Sequence, residues 1–200
     1  RRRDLLRATG SGATGLVPSL ATGGSGLTAM VRFLTACSAP ADGTHDSPEL
    51  HELASAVADL KRSYQSCRYR ATAHALPALL RGTVAAQHAL DGDRRTRAYA
   101  LGADAYQLAS SVLLRFDETS LAAVAADRAA AAAVLSGDPL AVASSTRAIV
   151  HSLSSAGLAA RAVEVSVDAV GREEAIMAQC VALVEREVRA ADPRIGIHVE

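Results

Sequence analysis

The chain has 200 residues, equal numbers of acidic and basic residues and a half-hydrophobic composition, which suits one folded domain with a tail. A formal charge of zero argues against strong nucleic-acid binding by these residues, since affinity for phosphate backbones requires clustered positive charge. The 44 alanines and the absence of tryptophan predict an all-α fold with a thin core of Leu, Val and Ala.

The three cysteines, Cys37, Cys67 and Cys180, are widely spaced. No CxxC motif and no Cys/His pair at metal-ligand spacing accompanies them, so we expect neither a disulfide framework nor a metal site, and no cofactor. Free thiols of this kind favour a cytoplasmic protein. The sequence also shows no apolar run of the roughly twenty residues that span a bilayer, so no membrane contact is expected.

Residues 1–46 are predicted to be a flexible linker or docking segment ahead of the folded domain. Arg1–Leu6 and its Gly-rich continuation also resemble a twin-arginine export signal, so an exported protein remains an alternative. Glycines and Pro18 interrupt the apolar stretch that such a signal requires. Within the segment, Leu27–Ala36 predicts a short apolar helix that packs on the rest of the protein, and 40–46 predicts a loop.

Residues 47–191 are predicted to form a helical repeat domain, followed by a short tail at 192–200. The first helix of this domain begins at the segment Asp46-Ser47-Pro48, where the Asp or Ser caps free amides and the Pro suits the first turn. Apolar residues at helical spacing continue this helix to about Gln65.

The second helix is predicted at Tyr69–Leu90, after a turn at Cys67-Arg68. Pro77 lies inside this range and should kink the helix or mark its true start, because proline removes one hydrogen bond and clashes one turn back. The segment Asp91-Gly92-Asp93 ends the helix.

Stop and start signals divide the remainder into helices. The clearest is Gly137-Asp138-Pro139, in which Gly ends one helix, Asp caps the next and Pro begins it. Gly157 is a turn and Gly171 a break. The predicted ranges are Arg94–Phe116, 120–136, 140–155, 159–170 and a last helix whose apolar stripe contains Ile176, Cys180, Val181, Val184 and Val188.

A forty-residue repeat links two of the predicted hairpins. The pattern Tyr106, Ala109, Ser110 and Leu113 corresponds to Thr146, Ile149, Val150 and Leu153, while Ala122 and Ala129 correspond to Ala162 and Ala169. A recurring helix-turn-helix unit of this length is typical of tetratricopeptide-like superhelices, in which each unit buries its apolar face only against its neighbours.

The span 50–170 resembles the C-terminal domain of actinomycete helix-turn-helix transcriptional regulators of the XRE-like type. The matching stretches are YQSCRY at 64–69, ALPALL at 75–80, AYQLASS at 105–111 and AAVAADRA at 122–129. The resemblance implies a regulatory domain that senses an effector and acts on DNA only through a part absent from this chain. Two alternatives follow: a DNA-binding helix-turn-helix lies upstream of Arg1, or the chain is a stand-alone repeat protein.

If the repeat register holds, the outgoing helices line a concave groove with polar side chains. The candidate groove residues are Lys61, Tyr64, Asp104, Gln107, Ser111, Ser144, Arg147, His151 and Ser154. Arg147, His151 and Lys61 could hold a carboxylate or a peptide C-terminus, because charge-assisted hydrogen bonds are strong and directional. Solvated faces of amphipathic helices give the same pattern, and this simpler interpretation remains open.

Four side chains receive structural interpretations. His151 has no Asp or Ser partner identifiable from spacing, so no catalytic triad is assigned. Asp127 and Arg128 are expected to form a structural or surface pair, and Tyr106 is expected to pack in the core rather than touch a ligand.

Three functions follow from these patterns. The first is a cytoplasmic regulatory domain that binds a small-molecule or peptide effector and forms a homodimer through its last helix. The second is a protein-protein interaction scaffold with no small ligand, and the third is an exported protein. We expect no enzyme, since the sequence shows no nucleophile with its base, no metal set and no phosphate loop.

Overall fold

Short turns separate successive helices within residues 49–171. The computed structural model describes these residues and residues 25–36. Our predictions for 1–24, 37–48 and 172–200, including the linker, the loop, the last helix and the tail, lie outside the described residues. Within them the protein is all-α and contains no strand. The helices are α1 (Ser25–Thr35), α2 (Leu50–Gln65), α3 (Tyr69–Ala89), α4 (Gly92–Arg115), α5 (Thr119–Ser136), α6 (Pro139–Ser155) and α7 at 159–171.

The same turn joins the helices of three successive hairpins, α2–α3, α4–α5 and α6–α7. In each turn one residue has left-handed backbone: Cys67 (φ 58°), Asp117 (φ 60°) and Gly157 (φ 79°). The next N–H then bonds to a carbonyl five residues back, as in the Schellman motif that satisfies the last carbonyls of a helix. These donor–acceptor pairs are Arg68–Ser63 (3.0 Å), Glu118–Leu113 (3.1 Å) and Leu158–Leu153 (2.9 Å).

The link between α5 and α6 confirms the predicted stop and start. Gly137 takes up left-handed backbone with φ 65°, which ends α5. The Asp138 carboxylate accepts a hydrogen bond from the Leu140 N–H at 2.9 Å, and Pro139 is the first residue of α6. Each residue thus has the role that its backbone preference predicts.

Two helix boundaries differ from the prediction. Glu49 has extended backbone (φ −61°, ψ 140°), so α2 begins at Leu50 and not at the Asp46-Ser47-Pro48 segment. Helix α4 begins at Gly92, within the segment predicted to separate two helices. Gly171 is helical and is the last described residue, so the predicted break lies at the limit of the described residues.

Pro77 does not mark the start of α3, which begins at Tyr69 and runs through the proline to Ala89. A helix tolerates an internal proline when packing of the surrounding turns offsets the missing N–H. Pro77 is buried, as are its neighbours Leu76, Leu79 and Leu80, so this part of α3 is held by the core.

The hairpins stack in two layers. The first helices of the hairpins, α2, α4 and α6, contact one another in a row, which we call the inner layer. The second helices, α3 and α5, form the outer layer; in the described structure they do not touch each other, and α1 contacts both. Each outer helix also packs on the inner helix that follows it, so the hairpins are joined into one continuous structure.

A row of alanines forms the contact between α4 and α5, which we call the alanine seam. Ala105 and Ala109 of α4 and Ala122, Ala125 and Ala129 of α5 are all fully buried. Because a methyl group adds little thickness, two helices that meet through alanine can lie near the short end of the usual 8–10 Å interaxial distance. The buried alanines therefore permit α4 and α5 to pack closely.

The predicted short N-terminal helix is confirmed as α1, and it packs on the outer layer. Its Met30 and Leu34 are buried, and the Phe33 ring lies 6.3 Å from the Tyr106 ring of α4. Tyr106 is therefore a packing residue, as expected, and its burial raises the pKa of its phenol.

Arg128 anchors the end of α1 and does not pair with Asp127. Its Nη2 donates to the Leu34 carbonyl at 2.9 Å, at the C-terminal end of α1, while Asp127 is exposed. The predicted Asp127–Arg128 pair is wrong, because the two side chains project from neighbouring positions that a helix directs apart.

One described helix, α5, is long and apolar enough to cross a membrane when judged by length and composition alone. The sequence inspection did not find this stretch. In the structure α5 packs against α4, α6 and α1, and its buried residues are the alanines Ala122, Ala125, Ala126, Ala129, Ala132 and Ala133. Only a third of this helix is buried, and its Val124, Val134 and Leu135 are exposed.

The left-handed turn residues should control stability through backbone strain alone. We expect Gly157→Ala to lower the free energy of unfolding by about 1 kcal/mol, because an added Cβ touches nothing there but left-handed backbone disfavours it. Asp117→Gly should raise it by roughly 0.5 kcal/mol for the converse reason. Urea unfolding followed by circular dichroism measures both; equal signs for the two variants would contradict the turn assignment.

The close approach of α1 to α3 should make Gly26 irreplaceable. A Cβ at Gly26 would overlap the backbone of His74, so Gly26→Ala should displace α1 and cost about 1–3 kcal/mol. Gly102→Ala is the matched control in another helix, where the added Cβ meets only the movable amide of Gln87. Limited proteolysis between α1 and α2 should accelerate in the first variant alone; equal cleavage rates in the two variants would exclude the close docking of α1.

Candidate functional site

The structure brings together two predicted site residues from neighbouring inner helices. Lys61 Nζ of α2 lies 2.8 Å from Asp104 Oδ1 of α4, with side chains 44% and 35% exposed. A half-exposed pair of this kind contributes at most about 1 kcal/mol to stability. Its main consequence is that the Lys61 charge is already compensated, so Lys61 is not the free cation expected to receive a ligand carboxylate.

A second contact between α2 and α4 involves Arg115, which the sequence did not single out. Arg115 Nε donates to the Tyr64 hydroxyl at 3.4 Å, across the same pair of inner helices. This hydrogen bond is the main reason that the pKa of Arg115 lies above its ordinary value, so the guanidinium is charged at every physiological pH.

Gln107 is the predicted groove residue whose surroundings differ most from the expectation. Only 7% of it is exposed, so its amide does not lie on an open surface. Its Nε2, like the Ser110 hydroxyl, is buried without a hydrogen-bond partner. The Ser111 hydroxyl is half-buried and donates to the backbone carbonyl of Gln107 at 3.0 Å, within the same helix.

The predicted residues on α6 are accessible. Arg147, His151 and Ser154 are exposed and Ser144 is half-buried. Within the described structure, no hydrogen bond or ion pair joins this group to the predicted residues on α2 and α4. The α6 residues therefore provide an accessible polar face, not a formed binding site.

A pocket lies where the first two hairpins turn, and we call it the arginine pocket. It has a volume of about 500 Å³ and is lined by residues 67–71 together with Arg115 and Phe116. The Arg115 guanidinium lies over the Tyr69 ring, with Cζ 5.5 Å from the ring centroid. A cation above an aromatic face is attracted by the ring quadrupole, which holds the guanidinium in position.

Two tyrosines and a cysteine complete this cluster. The Tyr64 and Tyr69 rings are tilted with centroids 5.2 Å apart, and the Tyr69 hydroxyl donates to the exposed Cys67 sulfur at 3.4 Å. The hydrogen bond to Cys67 is the main cause that raises the pKa of Tyr69, so the phenol remains a neutral donor. The YQSCRY motif contains most of these residues, but Arg115 comes from a different hairpin, which sequence spacing does not reveal.

Within residues 26–36 and 49–171, no three His, Cys, Asp or Glu side chains lie close enough to hold a metal ion. Comparison of the chain with protein-family models, curated proteins and solved structures finds no match. The regulator resemblance therefore remains a prediction from the sequence.

The unpartnered amide of Gln107 gives a stability test of this face. We expect Gln107→Met to raise the free energy of unfolding by roughly 1 kcal/mol, because a buried amide without a partner costs about 1–3 kcal/mol. Ser111→Ala, which removes only an intrahelical bond, should change it by less than about 0.5 kcal/mol. Chemical denaturation measures both, and a destabilised Gln107→Met variant would mean that the amide has a stabilising partner.

Proposed function

We propose that this chain is a binding module built as a tetratricopeptide-like superhelix, whose inner layer forms a concave face for a peptide or small-molecule effector. The observation that carries the proposal is the unequal spacing of the two layers. Inner helices α2, α4 and α6 touch their neighbours, whereas outer helices α3 and α5 are apart and α1 contacts both. A row of hairpins that is closer on one side curves toward that side, as in solenoid proteins that bind along a concave surface.

The distribution of polar side chains supports the same proposal. Exposed or half-exposed Lys61, Asp104, Arg147 and His151 all belong to inner helices. The outer helix α5 buries alanines and exposes the apolar residues Val124, Val134 and Leu135, whereas the outer helix α3 also carries exposed Arg81 and His88. A partner that lies across the inner layer would meet charged and hydrogen-bonding groups from three successive hairpins, which gives specificity without an enclosed cavity.

An extended partner fits this face better than a small molecule. Gln107 is buried and exposes almost none of its amide, so it offers little to a small ligand. The polar groups of α6 and those of α2 and α4 are not joined by any described contact. A peptide that spans the hairpins reaches both sets, and the interaction scaffold is accordingly the second candidate function.

The regulatory role comes from the sequence resemblance. In that proposal effector binding on the inner layer acts on a DNA-binding part outside this chain, in a cytoplasmic homodimer. One structural feature supports a second contact surface: Val163, Val167 and Val170 of α7 are exposed at helical spacing and form an apolar stripe.

The inner-layer face should lose binding when the Arg147 and His151 side chains of α6 are removed. We expect Arg147→Ala with His151→Ala to weaken the binding of a peptide selected by display on the full chain by roughly tenfold or more. The reason is that an exposed guanidinium at a binding face provides charge-assisted hydrogen bonds and the imidazole beside it adds a further hydrogen-bonding group. Arg81→Ala with His88→Ala removes the same two residue types from exposed positions on outer helix α3 and should leave affinity within about twofold.

Isothermal titration calorimetry of the two double variants measures this difference. If the α3 variant loses as much affinity as the α6 variant, binding depends on overall charge and the inner-layer proposal fails. A selected peptide whose affinity neither variant changes would place the binding surface elsewhere.

A further inference from the structure

The arginine pocket has a lining that is unusually one-sided in charge. Arg68, Arg70 and Arg115 all line it, and the lining contains no Asp or Glu. Elsewhere in the described structure, five cationic side chains are paired with carboxylates, including Lys61 with Asp104 and Arg95 with Asp91. A pocket lined by three arginines and no carboxylate has a positive potential that favours a bound anion.

Arg115 is held in a fixed position before any ligand arrives. Its Nε is bound by the Tyr64 hydroxyl and its guanidinium lies over the Tyr69 ring. Its two terminal nitrogens make no hydrogen bond in the described structure. A guanidinium positioned in this way loses less conformational entropy when it binds an oxyanion than a freely mobile arginine does.

Backbone amides add donors to the same pocket. Tyr69, Arg70 and Ala71 line it and form the first turn of the 21-residue helix α3. The first intrahelical donor is the Thr72 N–H, which bonds to the Arg68 carbonyl, and no side chain caps the helix. The three preceding N–H groups are therefore available to an acceptor.

We propose that the arginine pocket binds a phosphoryl group. The two terminal nitrogens of Arg115 and the three free amides already offer more donors than the two oxygens of a carboxylate accept, and Arg68 and Arg70 also line the pocket. A phosphate offers three oxygens and nearly two negative charges. Arg115 and Tyr64 already lie against the Tyr69 ring, so charge and not aromatic stacking governs recognition. This proposal rests on the proposed function only in that the pocket extends the ligand-binding surface of α2 and α4.

Titration of the full ¹⁵N-labelled chain with inorganic pyrophosphate tests the proposal. We expect saturable shifts of the Tyr69, Arg70 and Ala71 amide signals, and much weaker shifts with acetate at equal concentration. Arg115→Gln should raise the dissociation constant on the order of tenfold. Arg70→Gln should raise it several-fold, while Arg97→Gln, an equal charge change at an exposed site on α4, should leave it within about twofold.

A phosphoserine peptide in a parallel titration distinguishes the source of the phosphoryl group. Tighter binding of pyrophosphate indicates a phosphorylated small molecule, and tighter binding of the peptide indicates a phosphorylated protein segment; either supports the pocket. The absence of saturable shifts, equal effects of acetate, or an Arg97→Gln loss equal to that of Arg115→Gln would overturn it. A chain that binds pyrophosphate but no selected peptide would retain the pocket and refute the inner-layer function.

Discussion

The alanine seam between α4 and α5 is the contact on which the rest of the structure depends. Helix α4 also touches α2, α3 and α6, so its position relative to α5 determines where the neighbouring hairpins pack. Each alanine buries little surface, so the seam stabilises by close approach over many residues and not by a few large side chains. Such a thin core is stable only when successive hairpins cover one another, which is how repeat proteins distribute their stability.

The seam also determines which side of the inner layer faces outward. One side of α4 is buried against α5, and on the part of its surface that faces α2 Asp104 meets Lys61 and Arg115 meets Tyr64 near the turn. The proposed binding face and the arginine pocket are therefore two consequences of one packing arrangement, and the turn geometry shared by the hairpins repeats that arrangement along the chain.

Local chemistry made much of the fold predictable from the sequence. The Gly137-Asp138-Pro139 signal located the end of α5 and the start of α6, and the left-handed Gly157 located the turn between α6 and α7. Glycine, aspartate and proline have backbone preferences that act within a few residues. The turns at Asp117 and Gly157 are forty residues apart, the same offset as in the sequence pattern, while those at Cys67 and Asp117 are fifty apart. Unequal units are compatible with one turn geometry because helices tolerate extra residues along their length.

The side-chain environment was less predictable, because it depends on how separate hairpins align. Sequence spacing placed Lys61 and Asp104 on inner helices but did not reveal that they neutralise each other. It placed Gln107 on the groove face without showing that the side chain is buried. It also paired Arg128 with Asp127, whereas Arg128 donates to the backbone carbonyl of Leu34. The arginine pocket was missed for the same reason, since Arg115 reaches it from another hairpin.

Lys61 permits a direct test of the inner-layer arrangement, because it is the only lysine in the chain. Zero-length carbodiimide cross-linking joins an amine to a carboxylate only when the two groups touch, and Lys61 Nζ lies 2.8 Å from Asp104 Oδ1. Mass spectrometry of the digested monomer should identify an amide between Lys61 and Asp104. Cross-links from Lys61 that are confined to acidic residues of α2, such as Asp59, would contradict the contact between α2 and α4 and, with it, the layered stack.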